Sequence, residues 1–247
     1  MKADPTAQAA LLDLQAQDSA LAQLEHRRKS LPEHAQIQEL QSRADEVDGA
    51  RIEADTEVSD LTSAQKKADA EVEQVKARRT RDEERLSSGA ISNPKDLESL
   101  QHELVALERR IGSLEEDELE VMESLEEAQT RLTSLQADLA DIAARLEHAT
   151  AARVVAVTVI DEQSAATQAD RDRVAATVPD DLIALYDKVR GQYGGLGAAA
   201  LRARRCEGCR LELNGADLRE LAAAPDDDVL RCPECTRILV RTPESGL

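Results

Sequence analysis

The four cysteines of the sequence fall in two close pairs near its C-terminal end. The first pair reads Cys206-Glu-Gly-Cys209 and the second reads Cys232-Pro-Glu-Cys235, with 22 residues between the pairs. A gap of two residues lets both thiolates of one turn face the same ion, and two such turns complete the tetrahedron that zinc prefers. Because four thiolates leave no coordination position open for water or substrate, we predict one structural Zn²⁺ per chain.

The alternative interpretation of these cysteines is two redox-active Cys-x-x-Cys pairs, or cysteines that are close by chance. A thioredoxin-like redox motif lies beside a β-α-β pattern, and no such pattern surrounds these residues. The segments 211–213 and 237–240 are typical of short strands, and Gly208 and Pro233 suit the turns between paired cysteines. We therefore prefer a zinc ribbon, and thiols bound to metal favour a reducing, cytoplasmic location.

The rest of the chain has the composition of long α-helices rather than of a compact globular domain. The 247 residues include no Trp, no Phe and two Tyr, and 33% of them are charged. Between residues 95 and 178 there is no proline and only one glycine, whereas seven of the ten glycines lie at or beyond Gly191. Narrow helix-on-helix seams must then replace a thick aromatic core.

Apolar residues recur at alternating intervals of three and four along this segment, which is the heptad pattern of a coiled coil. The seam runs from Leu97 to Ile160, and we predict that its helix continues to about Val174. An earlier segment, from Ile37 to Leu86, carries a matching but weaker pattern. Two consecutive helices with complementary seams predict an antiparallel hairpin.

The link between the two seams has the residues of a helix end followed by a helix start. Gly89 can end a helix in the left-handed conformation. Asn93 is a favourable N-cap, and Pro94 suits the first helical position. We therefore place the tip of the hairpin near residues 87–95.

Three regions follow from these patterns. We expect a coiled-coil hairpin over residues 1–178, a short helix with a glycine-rich linker over 179–196, and the zinc ribbon over 197–247. Pro32 predicts a break after an N-terminal helix, whose Leu11, Leu14 and Leu21 we expect to pack on the long helix. The predicted fold class is mainly α, a long antiparallel coiled-coil hairpin with a small C-terminal β zinc ribbon.

The motifs resemble those of a known family. The second cysteine pair continues as Cys232-Pro-Glu-Cys-Thr-Arg-Ile-Leu, and the hairpin tip reads Ser88-Gly-Ala-Ile-Ser-Asn-Pro-Lys-Asp-Leu97. Together with the helical hairpin, these segments resemble the bacterial C4-type zinc-ribbon proteins with an N-terminal coiled coil, over essentially the whole chain. The resemblance implies no enzymatic activity. It implies a regulator or chaperone-like adaptor that binds RNA or protein, and an actinobacterial branch is associated with sensing cyclic di-GMP.

A cluster of basic residues near the tip is the candidate ligand site. Residues 76–95 hold six basic and three acidic residues, although the whole chain has a net charge of −19. Arginine binds phosphate in a bidentate manner and recognises the O6/N7 edge of guanine, and a helix N-terminus attracts anions. The candidate ligands for a guanine nucleotide second messenger such as cyclic di-GMP are Arg78, Arg79, Arg81, Asp82, Arg85, Asn93 and Lys95.

A purely architectural interpretation of the same cluster remains open. The seam frame places Arg79 and Asp82 where apolar side chains are expected, and a polar pair in a seam can specify register. In that case Asn93 is a plain helix cap and the remaining charges are a solvated face.

Other functions are less compatible with the sequence. The ribbon carries eight basic and nine acidic residues and no aromatic residue for base stacking, which disfavours strong non-specific nucleic-acid binding. Its arginines then neutralise the thiolates, although a specific RNA or protein partner stays open. No stretch approaches the length of a membrane span, and no nucleophile–base pair, P-loop or paired-carboxylate site stands out. We expect a non-enzymatic regulator or adaptor with no membrane contact.

Overall fold

The computed structural model describes residues 1–89 and 91–247; Ala90, which belongs to the predicted tip, lies outside the described residues. The helices are α1 (Pro5–Lys29), α2 (Pro32–Ser87), α3 (Pro94–Ala175), α4 (Asp180–Gln192) and α5 (Gly215–Ala223). The strands are β1 (Ala198–Arg202), β2 (Arg205–Cys206), β3 (Leu230–Arg231) and β4 (Ile238–Val240). The predicted fold class, a long helical hairpin with a small C-terminal zinc-ribbon region of short strands, is confirmed.

The chain divides into two compact units. One unit comprises Gln36–Ala149, and the other combines Met1–Ala35 with Thr150–Leu247. Within residues 1–89 and 91–247, every helix is too short or too polar to cross a membrane.

The unit Gln36–Ala149 consists of antiparallel segments of α2 and α3. Ile37, Leu40 and Val47 of α2 pack in one cluster with Ile142 and Ala149 of α3. Closer to the tip, ion pairs join the two helices in reverse order along the chain: Glu57 with Arg131 at 3.1 Å, then Lys76 with Glu115 at 2.8 Å. The predicted seams therefore meet each other, and their narrow apolar contact is flanked by charge pairs.

The helix ends beside the tip follow the expected local chemistry. Gly89 has a φ of +70°, which is the left-handed conformation that glycine tolerates best. The side-chain oxygen of Asn93 accepts a 3.1 Å hydrogen bond from the backbone N–H of Lys95, so Asn93 caps α3. Pro94 occupies the first position of α3, as predicted.

The unit that includes both chain ends is built around a small mixed sheet. Its strand order is β2-β1-β4-β3, with β1 and β4 parallel and the two outer pairs antiparallel. The alanine-rich β1 was not predicted as a strand, and it becomes one because β2 and β4 pair with it on both sides. The predicted strand at 211–213 is wrong, since only an isolated bridge joins Glu212 to Arg205.

The core of this unit lies between α1, α4 and the sheet. Leu11 and Leu14 of α1 contact Leu182 and Tyr186 of α4 and Ile238 of β4 in a single buried cluster. The N-terminal helix also lies against the long helix, as expected, since Arg28 pairs with Asp161 at 3.2 Å and Asp18 pairs with Arg171 at 2.7 Å. Within this cluster α3 contributes only its last turn, so these leucines of α1 mainly support α4 and the ribbon.

Candidate metal centre and other candidate sites

The four cysteines lie on two turns with the same geometry. In the first turn the N–H of Arg210 donates to the carbonyl of Cys206 at 2.7 Å, and in the second the N–H of Thr236 donates to the carbonyl of Cys232 at 2.9 Å. Arg210 and Thr236 both have positive φ values, 62° and 60°. Each turn thus bends sharply after its second cysteine, which aims both sulfurs of the pair to one side.

The sulfur atoms form a cluster of the size that zinc requires. Sγ of Cys206 lies 3.9 Å from Sγ of Cys235, and Sγ of Cys209 lies 3.9 Å from Sγ of Cys232. All four sulfurs are within 4.8 Å of one another. A tetrahedron with Zn–S bonds of about 2.3 Å places its sulfurs about 3.8 Å apart. The residues therefore fit one structural zinc ion, as predicted.

Burial affects the pKa of two of the four cysteine thiols. Cys206 and Cys232 are buried, whereas Cys209 and Cys235 are half-buried. Burial raises the pKa of the Cys206 thiol and that of the Cys232 thiol, because a thiolate is less stable away from water. Zinc must therefore displace protons from these two sulfurs when it binds.

Contacts outside the sulfur cluster hold the two turns in place. A Cβ added to Gly208 would lie 3.0 Å from both the Cβ of Ala199 and the Cδ of Arg237, so a side chain at this position would have to displace one of them. The Arg237 guanidinium donates to the carbonyls of Leu196 (3.1 Å) and Tyr193 (3.0 Å) and stacks over the Tyr193 ring. Arg237 thereby connects the second turn to the end of α4.

A buried polar cluster supports the ribbon, and sequence reasoning missed it. We call it the anchor cluster; its members are Gln15, Asp18, Arg171, Tyr186 and Arg190. The carboxylate of Asp18 is 2% exposed and accepts hydrogen bonds from the hydroxyl of Tyr186 at 2.6 Å and from Nε of Arg171 at 2.7 Å. Arg190 adds a second guanidinium at 3.3 Å. Two cations thus compensate one buried anion.

Gln15 connects the anchor cluster to the backbone that enters β1. Its side-chain oxygen accepts from the N–H of Gly197 at 2.7 Å, and its side-chain nitrogen donates to the carbonyl of Gly195 at 3.0 Å. Burial and the neighbouring Asp18 raise the pKa of Tyr186, so its hydroxyl stays protonated and donates. The only sequence signal for the Gln15 contact was the position of this polar residue on the same face of α1 as Leu11 and Leu14.

The structure brings three of the candidate arginines of α2, namely Arg78, Arg79 and Arg85, together with carboxylates. Arg78 pairs with Glu103 and lies 3.9 Å from Asp82. Arg85 lies 3.6 Å from the same Asp82, which is buried as the seam frame indicated. Asp82 therefore sits between two arginines of its own helix.

The remaining tip residues divide into paired and unpaired side chains. Arg79 is half-buried and contacts Glu83 at 3.2 Å and Glu108 at 3.8 Å. Arg81 and Lys95 are exposed and form no ion pair among residues 1–89 and 91–247. The charge pairs suit the architectural interpretation, and binding of a nucleotide at these residues stays a prediction.

The arginines of the ribbon have mostly structural partners. Arg241 donates to the carbonyls of Leu221 (2.9 Å) and Ala224 (2.8 Å), and so holds the end of α5 against β4. Arg202 pairs with Glu244 at 2.9 Å in the C-terminal segment. These contacts serve folding.

Comparison with known proteins finds a family match for both parts of the chain, the helical hairpin and the zinc ribbon. Residues 14–194 match the CT398-like coiled coil hairpin domain, and residues 205–239 match the C4-type zinc ribbon domain. An uncharacterized protein of Mycobacterium tuberculosis is 36% identical to this chain, and the alignment covers 98% of each chain. A relative from Mycobacterium leprae, also uncharacterized, is 27% identical over 88% of this chain and 93% of its own.

Solved structures agree with these matches. A protein from Mycobacterium smegmatis is 36% identical, with a TM-score of 0.84 over 98% of this chain and 100% of that one. CT398 from Chlamydia trachomatis shares the fold, with a TM-score of 0.69 and 17% identity over 96% of this chain and 98% of its own. The chain therefore belongs to the family that combines a CT398-like coiled-coil hairpin domain with a C4-type zinc ribbon domain.

Proposed function

We propose that this protein is a non-enzymatic cytoplasmic adaptor that binds a protein partner through an apolar face of α3. The proposal rests on one observation, which is a group of exposed valines in the unit that holds the ribbon. Both family domains are of coiled-coil and zinc-ribbon type, and the zinc site is closed to substrate. The family alone does not identify a partner.

The valine patch consists of Val154, Val155, Thr158 and Val159. Its three valines are 55%, 65% and 41% exposed. Residues 151–160 carry a single charge, Arg153, in a chain of which one third is charged. Exposed β-branched residues are less favourable in a helix than alanine or glutamate, and the apolar side chain of valine makes no favourable interaction with water. A partner that covers them explains their presence.

The surroundings of the valine patch indicate the chemistry of this partner. Glu162 borders the patch, is exposed and forms no ion pair within the described part of the chain. The chain as a whole is strongly acidic. We therefore expect a protein surface with an apolar centre and a basic rim, since such a rim would be attracted to the carboxylates. RNA is disfavoured here because the patch offers neither aromatic rings nor cationic side chains other than Arg153.

Site-specific photo-crosslinking in cells tests this proposal. A benzophenone amino acid at position 155 should capture a defined protein, whereas the same group at position 136, an exposed glutamine of α3 five turns before the patch, should not. With the captured protein purified, Val155→Asp should weaken binding about ten- to a hundredfold, because a carboxylate would be buried in an apolar contact. Gln136→Asp is the matched control and should bind normally.

Three results would contradict the adaptor proposal. Equal crosslinking at positions 155 and 136 would show that the patch is not a specific surface. Products made only of this chain would show self-association, and capture of RNA would identify a different class of partner.

Binding of cyclic di-GMP at the tip is the second candidate function. It is favoured by Arg81 and Lys95, whose charges have no carboxylate partner among the described residues and are free to meet phosphate. It is weakened by the ion pairs of Arg78, Arg79 and Arg85, which a nucleotide would have to replace.

Isothermal titration at low salt tests the second candidate. If the site exists, cyclic di-GMP should bind with micromolar affinity, and Arg81→Ala should reduce that affinity about ten- to a hundredfold through loss of a charge-assisted contact. Cyclic di-AMP is the control ligand, because it carries the same phosphates without the guanine O6. The absence of binding at high micromolar nucleotide would remove this candidate and leave the adaptor proposal intact.

A further inference from the structure

A second heptad stripe runs along α3 on the side away from the hairpin seam. Its central residues are Val105, Arg109, Gly112, Glu116 and Leu119, which alternate at intervals of four and three. At 100° per residue these five positions fall within an arc of about 80°. We call them the outer stripe. Leu107, Ile111 and Leu114, which are buried in the seam, lie on the opposite side of the helix.

The apolar residues of the outer stripe face solvent. Val105 is 50% exposed and Leu119 is 57% exposed. A Cβ added to Gly112 would meet no atom within 4 Å, so packing within the chain does not require a glycine at this position. Glycine inside a helix is less favourable than alanine, and its lack of a side chain permits another backbone to approach closely.

The outer stripe is complementary to itself when two copies run antiparallel. A two-fold axis at Gly112 places Val105 of each copy opposite Leu119 of the other. The same axis brings Arg109 to within one residue, about 1.5 Å along the helix axis, of the level of Glu116 of the other copy. Neither of these two charged residues has an ion-pair partner within residues 1–89 and 91–247.

The charges farther along the stripe define how far such a contact extends. His102 of one copy lies within one residue of the level of Glu123 of the other, close enough for a favourable contact. One turn beyond, Glu98 lies opposite Glu126 and would repel it. A parallel pairing would instead stack Arg109 on Arg109 and Glu116 on Glu116, so the charges select the antiparallel arrangement.

We propose that two copies of this chain associate through their outer stripes, as an antiparallel pair of α3 helices that cross at Gly112. The contact is isologous, so every favourable pair occurs twice. About four helical turns of contact bury less area than the ~1,200–2,000 Å² of stable complexes. The dimer is therefore weak and forms at high concentration.

Sedimentation velocity over a concentration series tests the pairing directly. Wild-type protein should show a reversible monomer–dimer equilibrium at roughly 100 µM, the range expected for a small interface. Arg109→Glu and Glu116→Arg should each weaken association about tenfold or more, because two attractive pairs become repulsive. Arg110→Glu, an exposed change next to the stripe but on another face, is the matched control and should associate like wild type.

Mixing the two variants gives the most specific result. In a mixed dimer, the glutamate introduced at position 109 of one copy would face the arginine introduced at position 116 of the other. The unaltered Glu116 of the first copy would likewise face the unaltered Arg109 of the second, so the equimolar mixture should recover association. Circular dichroism of each variant checks that helix content is unchanged.

Three results would overturn the dimer proposal. The first is wild-type protein that stays monomeric to millimolar concentration, and the second is a dimer that neither charge swap affects. The third is an equimolar mixture of the two variants that fails to recover association.

Discussion

The hydroxyl of Tyr186 donates a 2.6 Å hydrogen bond to the buried carboxylate of Asp18, a residue 168 positions earlier in the sequence. This contact joins the N-terminal helix to the helix that precedes the ribbon. The same carboxylate is held by Arg171 from the last part of α3. Helix α1, the last part of α3 and α4 thus meet at the buried carboxylate of Asp18, next to the zinc ribbon.

Removal of the Tyr186 hydroxyl should destabilise this unit. Tyr186→Phe keeps the ring in the apolar cluster but leaves the Asp18 carboxylate without one of its donors. We expect a loss of about 1–3 kcal/mol in the free energy of unfolding, measured by denaturant titration of zinc-bound protein. Tyr193→Phe is the control, because the Tyr193 hydroxyl bonds to Thr236 at an exposed site and should cost less. Equal effects of the two substitutions would contradict the role of the anchor cluster.

A methyl group at Gly197 should also destabilise the ribbon. The added Cβ would lie 2.8 Å from ring carbons of Tyr186 and 2.8 Å from its backbone carbonyl oxygen, so the backbone must move. We expect Gly197→Ala to cost about 1–3 kcal/mol and to alter the near-ultraviolet signal of tyrosine. Gly191→Ala in α4 is the matched control, since nothing lies within 4 Å of the added methyl. That control should be neutral or slightly stabilising, and the prediction is wrong if the two variants behave alike.

Replacement of Arg79 by leucine distinguishes architecture from ligand binding at the tip. Arg79 is half-buried at a seam position and contacts two glutamates. Leucine suits a seam, and partly exposed ion pairs contribute about 0–1 kcal/mol. Arg79→Leu should therefore keep or raise the melting temperature, while Arg81→Leu at an exposed position should leave it unchanged. A clear fall in the melting temperature of Arg79→Leu would show that its charge pairs hold the register.

Zinc affinity should fall as the pH is lowered. An ordinary cysteine thiol is mostly protonated at neutral pH, and burial raises the pKa of the Cys206 and Cys232 thiols further. Zinc binding must release these protons, and acid opposes their release. Calorimetry in buffers with different ionisation enthalpies should detect the protons released on zinc binding. Affinity that does not change between neutral and mildly acidic pH would contradict this account.

The parts of the fold that depend on local chemistry could be predicted from the sequence. Pro32, Gly89 and Asn93 mark helix ends by their own backbone preferences, and the cysteine spacing indicates a tetrahedral site. The seam itself was followed only to Ile160, and the helix end predicted near Val174 is within a residue of the observed Ala175. Helix α5 had a local signal that we missed, because Asn214 caps it by accepting from the N–H groups of Ala216 and Asp217.

The parts that depend on distant contacts could not be predicted. An alanine-rich segment at 198–202 looks helical by propensity, and its two strand neighbours override that preference. Asp18 and Gln15 looked like ordinary polar positions until the fold brought Tyr186 and Gly197 beside them. The tip arginines were located correctly on the helix face, but glutamate partners of Arg78 and Arg79 lie on the other helix of the hairpin.

Zinc content and the consequence of its loss test the central claim that the metal holds the C-terminal module together. Purified wild-type protein should contain one zinc per chain, because the four sulfurs form one tetrahedral set. Cys232→Ser should lose the metal and unfold the ribbon, since structural zinc in small modules is worth ~10–16 kcal/mol. The helical signal of the hairpin should survive, because its seam lies in a separate unit. Wild-type protein with less than about half an equivalent of zinc, or a Cys232→Ser variant whose ribbon amides stay protected from hydrogen exchange, would contradict the claim.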